Sequence, residues 1–312
     1  MNILVTGGAG FIGSNFIHLL LQKIEHRVIN YDCLSYAANP NYIETLNELD
    51  RYTFVLGNIT NQGLIEEVIQ NYDVDCIINF AAESHVDRSI TDASSFVQTN
   101  VVGTTCLLAC AKVHNLRLIQ ISTDEVYGSL ATGFAKEDAV LNPSSPYAAS
   151  KAAADQFVIA YGKTYGLDIN ILRAANNYGP NQYPEKLIPL MINCMQKGKP
   201  LPVYGDGLQQ RDWLYVDDFC RAILLVLNKG VAGEIYNVTD HQERTNLALI
   251  YDLKKYGGFE TAQTTFVTDS LGHDRRYGMD NTKIKALGWQ ADVDFASGLK
   301  KTIQWYLERM KN

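Results

Sequence analysis

The sequence is poor in the features that mark secreted, metal-binding or nucleic-acid-binding proteins. Its six cysteines among 312 residues include no Cys-x-x-Cys pair. Cys106, Cys110 and His114 are spaced one helical turn apart, but they lie in an apolar segment where free cysteine is typically a packing residue. The net charge is −7 and no run of Lys or Arg is long enough to form a phosphate-tracking stripe, which argues against nucleic acid as a partner. We expect no metal, no disulfide and no nucleic acid.

Long hydrophobic segments are also scarce. No uninterrupted apolar run approaches the ~18 residues of a membrane span. The first strand-like run, Ile3-Leu4-Val5, starts next to the initiator Met and leaves no room for a signal peptide. We therefore expect a cytoplasmic protein without a membrane partner.

The first half of the chain alternates short β-rich runs with helical patterns. Strand-like runs cover residues 3–6, 27–31, 52–56, 76–80, 116–122 and 168–172, and helical patterns cover 11–23, 61–71, 94–114 and 146–165. Because these strands have no polar face, the alternation predicts a doubly wound parallel sheet, a Rossmann-like α/β fold.

After Arg173 the pattern changes to loops rich in Asn, Gly and Pro. Helical patterns follow near 185–197, 216–228, 247–256 and 296–310, with a strand near 234–238. This mixture predicts a smaller interleaved α/β lobe. We expect residues 1–173 to form the cofactor-binding domain, segments near 212–240 to return to it, and residues 174–312 to form mainly the substrate lobe.

A glycine-rich turn between the first strand and the first helix predicts a dinucleotide site. Such a turn brings the backbone and a helix N-terminus to a pyrophosphate, and it comprises Gly7, Gly10, Phe11, Ile12 and Gly13. Asp32 ends the next strand and could be a mere turn residue, but a carboxylate there accepts from a ribose 2′-hydroxyl and repels a 2′-phosphate, which favours NAD over NADP. By position, Asn58 and Ile59 are expected near the adenine and Ala81 along the dinucleotide.

Two residue pairs indicate acid–base chemistry. Tyr147 and Lys151 are four residues apart and share a helix face, so an ammonium can favour a phenolate that removes a proton from an alcohol. Asp124 and Glu125 add a second acid and base, which elimination of water needs and simple hydride transfer does not. Each residue also has a structural interpretation, since the carboxylates could cap a turn, the tyrosine could pack under a loop and the lysine could be solvated.

At these residues the chain resembles the extended short-chain dehydrogenases, and within them the nucleoside-diphosphate-glucose 4,6-dehydratases, best known for dTDP-glucose. The resemblance runs nearly end to end. It is carried by Ala81-Ala82-Glu83-Ser84-His85-Val86-Asp87-Arg88-Ser89, Ser122-Thr123-Asp124-Glu125-Val126-Tyr127-Gly128, Ser145-Pro146-Tyr147-Ala148-Ala149-Ser150-Lys151, Asn176-Asn177-Tyr178-Gly179-Pro180, Arg211-Asp212-Trp213-Leu214-Tyr215 and Gly272-His273-Asp274-Arg275-Arg276-Tyr277.

The resemblance implies oxidation of a sugar, elimination of water and reduction with one retained NAD. Tyr147, assisted by Lys151 and a hydrogen bond from Thr123, would take the proton of the sugar 4-hydroxyl. Glu125 would remove the C5 proton, and protonated Asp124 would donate to the departing 6-hydroxyl. The product would be a 4-keto-6-deoxy sugar, as in the biosynthesis of rhamnose and other deoxysugars.

The resemblance also implies a nucleotide-sugar site and a homodimer. Arg211 would clamp the diphosphate and Ser84 would line the sugar end, while further residues near the nucleotide or diphosphate would be Asn177, Lys186, Asn246 and Arg276. His85 is expected to be structural rather than a catalytic base. Dimers of this family pair through helices near 101–114 and 147–163.

The chain departs from the family pattern at several positions. Asn58 replaces the usual Asp, and its amide oxygen is expected to accept from the adenine amino group. Ala174-Ala175 and Gln210 also differ, and the chain is short after Gly128. Two other activities stay open: an NAD-dependent nucleotide-sugar 4-epimerase, which needs no acid–base pair, and a non-catalytic NAD-binding protein. The choice between dTDP and UDP also stays open, because thymine and uracil differ by one methyl group, as does the deoxysugar pathway.

Overall fold

The computed structural model describes residues 1–22, 26–46 and 49–309. The strands are β1 Asn2–Thr6, β2 Arg27–Asp32, β3 Tyr52–Leu56, β4 Cys76–Asn79, β5 Arg117–Thr123, β6 Ile169–Ala174, β7 Asn176–Tyr178, β8 Leu201–Tyr204, β9 Gln210–Tyr215, β10 Ile235–Val238, β11 Glu243–Thr245 and β12 Thr264–Val267.

The α-helices are α1 Phe11–Gln22, α2 Pro40–Leu46, α3 Gln62–Asn71, α4 Val86–Thr91, α5 Ala93–Phe96, α6 Thr104–His114, α7 Pro146–Tyr165, α8 Leu187–Gln196, α9 Val216–Lys229, α10 Asn246–Gly257, α11 Thr282–Ala286 and α12 Phe295–Arg309. Val97–Gly103 is π-helical and Asp124–Tyr127 is a 3₁₀ turn. Lys23 and Met310, the predicted ends of α1 and α12, lie outside the described residues.

Seven parallel strands form the central sheet in the order β10-β6-β5-β4-β1-β2-β3. All six strands predicted in the first half are present, which confirms the doubly wound α/β fold. Leu4 pairs with Ile29 on one side and Ile77 on the other, and all three belong to one apolar core. The pair Val5 and Ile78 belongs to the opposite core, so the middle of the sheet is apolar on both faces, as a parallel sheet requires. The strand order reverses between β1 and β4, and the crevice at such a reversal is where doubly wound proteins bind ligands.

Two apolar cores cover the sheet. Phe16 of α1 and Phe219 of α9 belong to one core, and Leu107 of α6 and Val158 of α7 belong to the other. Because α9 and β10 come from the second half of the chain, the later sequence completes both the sheet and its covering layer.

A third core lies in the second half, built around Tyr178, Met191, Trp213, Leu249 and Leu299. Its small sheets have the orders β11-β9-β7 and β12-β8. Strands β7 and β8 fall in segments that the sequence predicts as loops. That prediction is wrong because each short strand is stabilised by a partner distant in sequence, β9 for β7 and β12 for β8.

The predicted helix 94–114 is divided into α5, the π-helical segment and α6. The whole stretch Ala93–His114 is long and apolar enough, by length and composition, to cross a membrane. No such segment is expected from the sequence when only uninterrupted apolar runs are considered. Thr99 and Asn100 interrupt the run of apolar residues, but the mean hydropathy of the stretch is still high enough for a membrane span. In the structure the stretch is partly buried and packs on α7 and α3, as a core helix does.

Candidate active site

The glycine turn after β1 forms a shallow backbone surface, here called the glycine cradle, which side chains at Gly7, Gly10 and Gly13 would obstruct. A Cβ on Gly7, which has φ +71°, would lie 2.5 Å from the backbone nitrogen of Ala81, and one on Gly13 would lie 2.4 Å from the carbonyl oxygen of Gly7. A Cβ on Gly10 would have only that carbonyl, at 3.3 Å, within 4 Å. The turn thus leaves the backbone and the N-terminus of α1 open to an anionic group such as a pyrophosphate.

Asp32, at the end of β2, forms a hydrogen bond with the backbone of the glycine turn. Its Oδ2 accepts from the backbone N–H of Ala9 at 2.9 Å, and its Oδ1 accepts from that of Leu34 at 2.8 Å. Burial raises the pKa of Asp32, and these two hydrogen bonds oppose the rise. Each carboxylate oxygen retains a second lone pair, so the side chain can still accept from a ribose hydroxyl.

One cleft of about 430 Å³ brings together every residue predicted to bind the cofactor. They are Gly7, Gly10, Phe11, Ile12, Gly13, Asp32, Asn58, Ile59, Ala81, Tyr147 and Lys151. Asn58 differs from expectation in one respect: its Oδ1 already accepts from the backbone N–H of Thr60 at 3.0 Å and from the Thr60 hydroxyl at 2.9 Å. Its amide oxygen is therefore engaged by the protein.

The N-terminal turn of α7 places Tyr147 and Lys151 at the other end of this cleft. Ser145 caps the helix, since its Oγ accepts from the backbone N–H of Ala148 at 3.1 Å. Lys151 donates its Nζ to the carbonyl oxygen of Ile121 on β5, at 2.7 Å. The lysine is thus fixed between helix and sheet and is not the solvated charge that the structural alternative describes.

The protonation of this pair differs from the simple expectation of a lysine-stabilised phenolate. Burial and the charge of Glu125 raise the pKa of Tyr147, and a hydrogen bond with Thr123 opposes the rise. Burial lowers the pKa of Lys151 to about 8, and the charge of Asp155 opposes that shift. In the chain alone, therefore, the phenol keeps its proton and Lys151 is charged at neutral pH.

Asp124 and Glu125 lie in the 3₁₀ turn that follows β5. Thr123 caps this turn: its Oγ1 accepts from the backbone N–H of Glu125 at 3.3 Å and bonds to Asp124 Oδ1 at 3.1 Å. The carboxyl groups themselves are therefore not needed as caps.

Their surroundings give these two carboxyl groups different proton affinities. Burial and the charge of Glu125 raise the pKa of Asp124 well above its usual range. Burial also raises the pKa of Glu125, but Arg211 and Lys186 oppose it. Two adjacent carboxyl groups in such different surroundings can act as one acid and one base.

Arg211 lies beside this acid–base pair on β9. Its guanidinium donates to the carbonyl oxygens of Gln210 and Asp274, at 2.8 and 3.0 Å, and lies 4.5 Å from the centre of the Tyr277 ring. The arginine is only 8% exposed, and its charge lowers the pKa of both Asp124 and Glu125. The structure therefore places Arg211 at the carboxyl pair.

Ser84 and Lys186 join the two parts of the molecule across the cleft that they help to line. Lys186 Nζ donates to the carbonyl oxygen of Ser84 at 2.7 Å. Burial lowers the pKa of Lys186, and Glu185 and Glu125 oppose that shift. The lysine is thus engaged with protein groups and does not project freely into solvent.

Three further predicted residues have protein partners of their own. Asn177 donates Nδ2 to the carbonyl oxygen of Ala175 at 3.0 Å, while its buried Oδ1 has no hydrogen-bond partner among the described residues. Asn246 donates to Gln209 Oε1 at 3.4 Å. Arg276 forms a two-pronged ion pair with Glu243, with Nε 3.1 Å from Oε2. To bind a diphosphate, Arg276 would have to exchange this partner.

A buried ion pair that is not predicted from the sequence lies behind α7. Arg173 Nε lies 2.9 Å from Asp155 Oδ2, and both side chains are almost completely buried. Asp155 follows Tyr147 and Lys151 at a further spacing of four residues, so the three share one face of α7. That spacing is the signal in the sequence that could have identified Asp155.

A second missed cluster crosses the cleft at Glu185. Its Oε1 accepts from the Tyr36 hydroxyl at 2.9 Å, and its Oε2 lies 3.6 Å from Arg88 and 3.8 Å from His85. Burial and the charge of Lys186 lower the pKa of His85, which agrees with a structural role. We call Tyr36, His85, Arg88 and Glu185 the clasp, because they connect the loop after β2, the start of α4 and the segment before α8.

Fold and site together define a class: a short-chain dehydrogenase with a dinucleotide cleft, a Tyr-x-x-x-Lys pair and an added pair of buried carboxyl groups. The family model described as GDP-mannose 4,6 dehydratase matches residues 4–302. The chain belongs to this family.

Several relatives carry a more specific name. The dTDP-glucose 4,6-dehydratase of Streptomyces niveus is 47% identical over 98% of this chain and 93% of its own length; that of Haemophilus influenzae is 45% identical over 98% of both. The dTDP-glucose 4,6-dehydratase of Streptomyces venezuelae, solved with NAD bound, has a TM-score of 0.96 and 47% identity, and covers 100% of this chain and 98% of its own.

Proposed function

We propose that the chain is a dTDP-glucose 4,6-dehydratase, a hydro-lyase that makes the 4-keto-6-deoxy sugar with tightly bound NAD. One observation carries the proposal: two buried carboxyl groups lie beside Tyr147, Asp124 with a pKa raised by burial and Glu125 with a pKa whose rise Arg211 and Lys186 oppose, in a molecule with a dinucleotide cleft. The names of near-full-length relatives support dTDP-glucose as the substrate.

The residues of the cleft fit NAD. The glycine cradle leaves room for a pyrophosphate, and Asp32 can accept from a ribose hydroxyl that a 2′-phosphate would replace. When bound, NAD supplies the acceptor for a hydride from C4 of the sugar and the donor of that hydride to C6.

Tyr147 is the proposed base for the sugar 4-hydroxyl. Its own pKa is too high for a phenolate to persist in the chain alone, so deprotonation has to be coupled to charges that assemble with the ligands. Lys151 contributes one such charge from one helical turn away, and the hydrogen bond with Thr123 lowers the pKa of the phenol.

Glu125 and Asp124 are proposed to share the elimination. Once C4 is a ketone, the C5 proton is acidic and passes to Glu125, whose carboxylate Arg211 and Lys186 favour. The electron pair left at C5 forms the double bond to C6 as the C6–O bond breaks. Asp124 gives its proton to the departing hydroxide, which leaves as water. Return of hydride to C6 has to be matched by return of a proton to C5, which Glu125 holds, to give the 4-keto-6-deoxy sugar.

The two alternatives explain less of the site. A 4-epimerase would use Tyr147, Lys151 and NAD but has no use for a protonated carboxylic acid beside a carboxylate. A non-catalytic NAD-binding protein has no use for either pair.

We further propose the domain division predicted above, a homodimer and a cytoplasmic location. Pairing of β10 with β6 and packing of α9 on α1 support the return of residues near 212–240 to the first domain. Exposed Val97 and Phe157 on the neighbouring π-helical segment and α7 support a dimer through this surface. Sedimentation of Phe157→Glu tests it: a variant that sediments as the wild type would contradict this interface.

The activity is tested by incubating the purified protein with dTDP-, UDP- and CDP-glucose. A 4-keto-6-deoxy product is detected by the ultraviolet absorbance that such sugars develop in alkali. We expect the product with dTDP-glucose, and a comparison of the three rates determines the preferred nucleotide. Formation of the 4-epimer with no keto sugar would instead support the epimerase.

A further inference from the structure

A chain of hydrogen bonds leads from Glu125 to the surface of the molecule. Burial raises the pKa of Glu125, and a hydrogen bond from the Tyr277 hydroxyl is among the contacts that oppose the rise. The same hydroxyl lies 2.9 Å from Asp274 Oδ2. Ser144, which is exposed, donates its hydroxyl to this carboxylate oxygen as well. Tyr277 and Asp274 are only 5% and 9% exposed, so the chain crosses the protein interior.

Arg211 fixes the middle of this chain. Its guanidinium lies 4.5 Å from the centre of the Tyr277 ring and donates to the backbone carbonyl oxygen of Asp274 at 3.0 Å. The neighbouring backbone is also held, because the carbonyl oxygen of Arg275 accepts from the N–H of Gln210 on β9 at 2.8 Å. The Tyr277 hydroxyl is therefore kept between two carboxyl groups.

One hydroxyl proton serves both of these carboxyl groups. Burial and the charge of Glu125 raise the pKa of Tyr277, so the phenol keeps its proton. It can donate that proton to only one carboxylate at a time, while its oxygen can accept from the other group when that group is protonated. A proton that reaches Glu125 can therefore move on, because Glu125 can donate to the Tyr277 oxygen while Tyr277 donates its own proton to Asp274.

We propose that Tyr277 and Asp274 form a proton relay, through which the C5 proton taken by Glu125 exchanges with solvent while the sugar is bound. The inference rests on the proposed function, in which Glu125 is the base. A sugar that presents C5 to Glu125 shields this carboxyl group from water in the cleft, so exchange during turnover needs a path through the protein. The protons balance: one leaves by way of Asp274 and the exposed Ser144, and one solvent proton returns along the same path to C5.

The relay is tested by a single turnover, in ordinary water, of dTDP-glucose that carries deuterium at C5. The reaction is stopped with acid, and the deuterium left at C5 of the 4-keto-6-deoxy product is measured by NMR. We expect the wild type to lose almost all of the label. In Asp274→Asn the amide oxygen can still accept from Tyr277 and Ser144, but the side chain takes no proton. Loss of a positioned proton-transfer group slows transfer by about 10²-fold or more, so most of the product should retain the label.

A second variant and a matched control accompany Asp274→Asn. Tyr277→Phe removes the central hydroxyl and keeps the ring beside Arg211, so it should retain the label as well, and it decides the question if Asp274→Asn does not fold. Asp280→Asn is the control. It removes the same charge six residues further along the chain, where Oδ1 accepts from the N–H of Thr282 at 2.9 Å, and its product should lose the label as the wild-type product does.

The amount of label and the rate of turnover separate a relay from a purely structural role. A relay variant that is slower than the wild type but still loses the label has only a structural defect, and this result would overturn the inference. A wild type that keeps its label would overturn it too, and both results would leave the dehydratase activity standing. If the wild type makes no 4-keto-6-deoxy sugar at all, the proposed function itself is wrong.

Discussion

Replacement of Asp124 by Asn separates oxidation of the sugar from elimination of water. Asp124 is 3% exposed, and burial raises its pKa well above its usual range, which favours the neutral carboxylic acid. Asn is neutral and almost the same size, and its oxygen can keep the bond to Thr123. We therefore expect the free energy of unfolding to change by no more than about 1 kcal/mol.

The kinetic effect should be much larger. Asn has no acidic proton to give to the departing hydroxide, and loss of a general acid typically costs about 10²-fold or more in rate, or about 2.7 kcal/mol in the barrier at about 1.36 kcal/mol per tenfold. Tyr147 and Lys151 are untouched, so oxidation at C4 should proceed. In rapid mixing with dTDP-glucose, the absorbance of reduced nicotinamide should build up before any 4-keto-6-deoxy sugar appears.

Exchange of the C5 proton with solvent distinguishes the two carboxyl groups. Asp124→Asn should still incorporate deuterium at C5, because Glu125 remains as the base. Glu125→Gln should slow turnover similarly and lose this exchange. Turnover of both variants at the wild-type rate, or failure to reduce the cofactor while substrate still binds, would refute the assignment and favour the epimerase.

Three other predictions follow from the same structure. The rate of turnover should rise with pH as Glu125 loses its proton and fall as pH passes about 8, where Lys151 loses its charge. The pH–rate profile measures both changes. If Lys151→Arg does not move the alkaline fall to higher pH, the assignment to Lys151 is contradicted. Gly13→Ala, whose Cβ would lie 2.4 Å from a carbonyl oxygen, should purify with little bound nucleotide, and full nucleotide content would contradict the cradle. Asp155→Asn leaves a buried guanidinium without its ion pair and should lower the free energy of unfolding in urea by about 3–5 kcal/mol. Asp168→Asn, at a pair 3.7 Å apart whose carboxylate is exposed, should cost at most about 1 kcal/mol, and equal effects would contradict the argument from burial.

The central sheet is largely predictable from sequence because its strands are locally encoded as apolar runs between helical patterns. Strands β7 and β8 are not, because each is short and depends on a distant partner that no local pattern reveals. The π-helical segment is hidden for a similar reason. Its residues have ordinary helical composition, and only the backbone shows the change in hydrogen bonding.

The candidate site shows the same limit. The cofactor residues meet in one cleft because the carboxyl ends of parallel strands share one edge of the sheet, which topology alone predicts. Which partner a side chain takes is not predictable in this way. Arg276 is held by Glu243, and the Asn58 oxygen is held by Thr60. Glu243 lies on β11, a short strand that is held in place by its pairing with β9, and Thr60 lies in the turn after β3.

The return of β10 to the sheet has a consequence for synthesis on the ribosome. Ile171 of β6 pairs with Ile235 of β10, so β6 is an open edge until the residues of β10 have been translated. An open edge strand is a template for pairing with other chains, and partly made multidomain chains aggregate through such surfaces. A fragment that stops after residue 174 should therefore aggregate, and the two halves of the gene should rescue each other only when they are translated together.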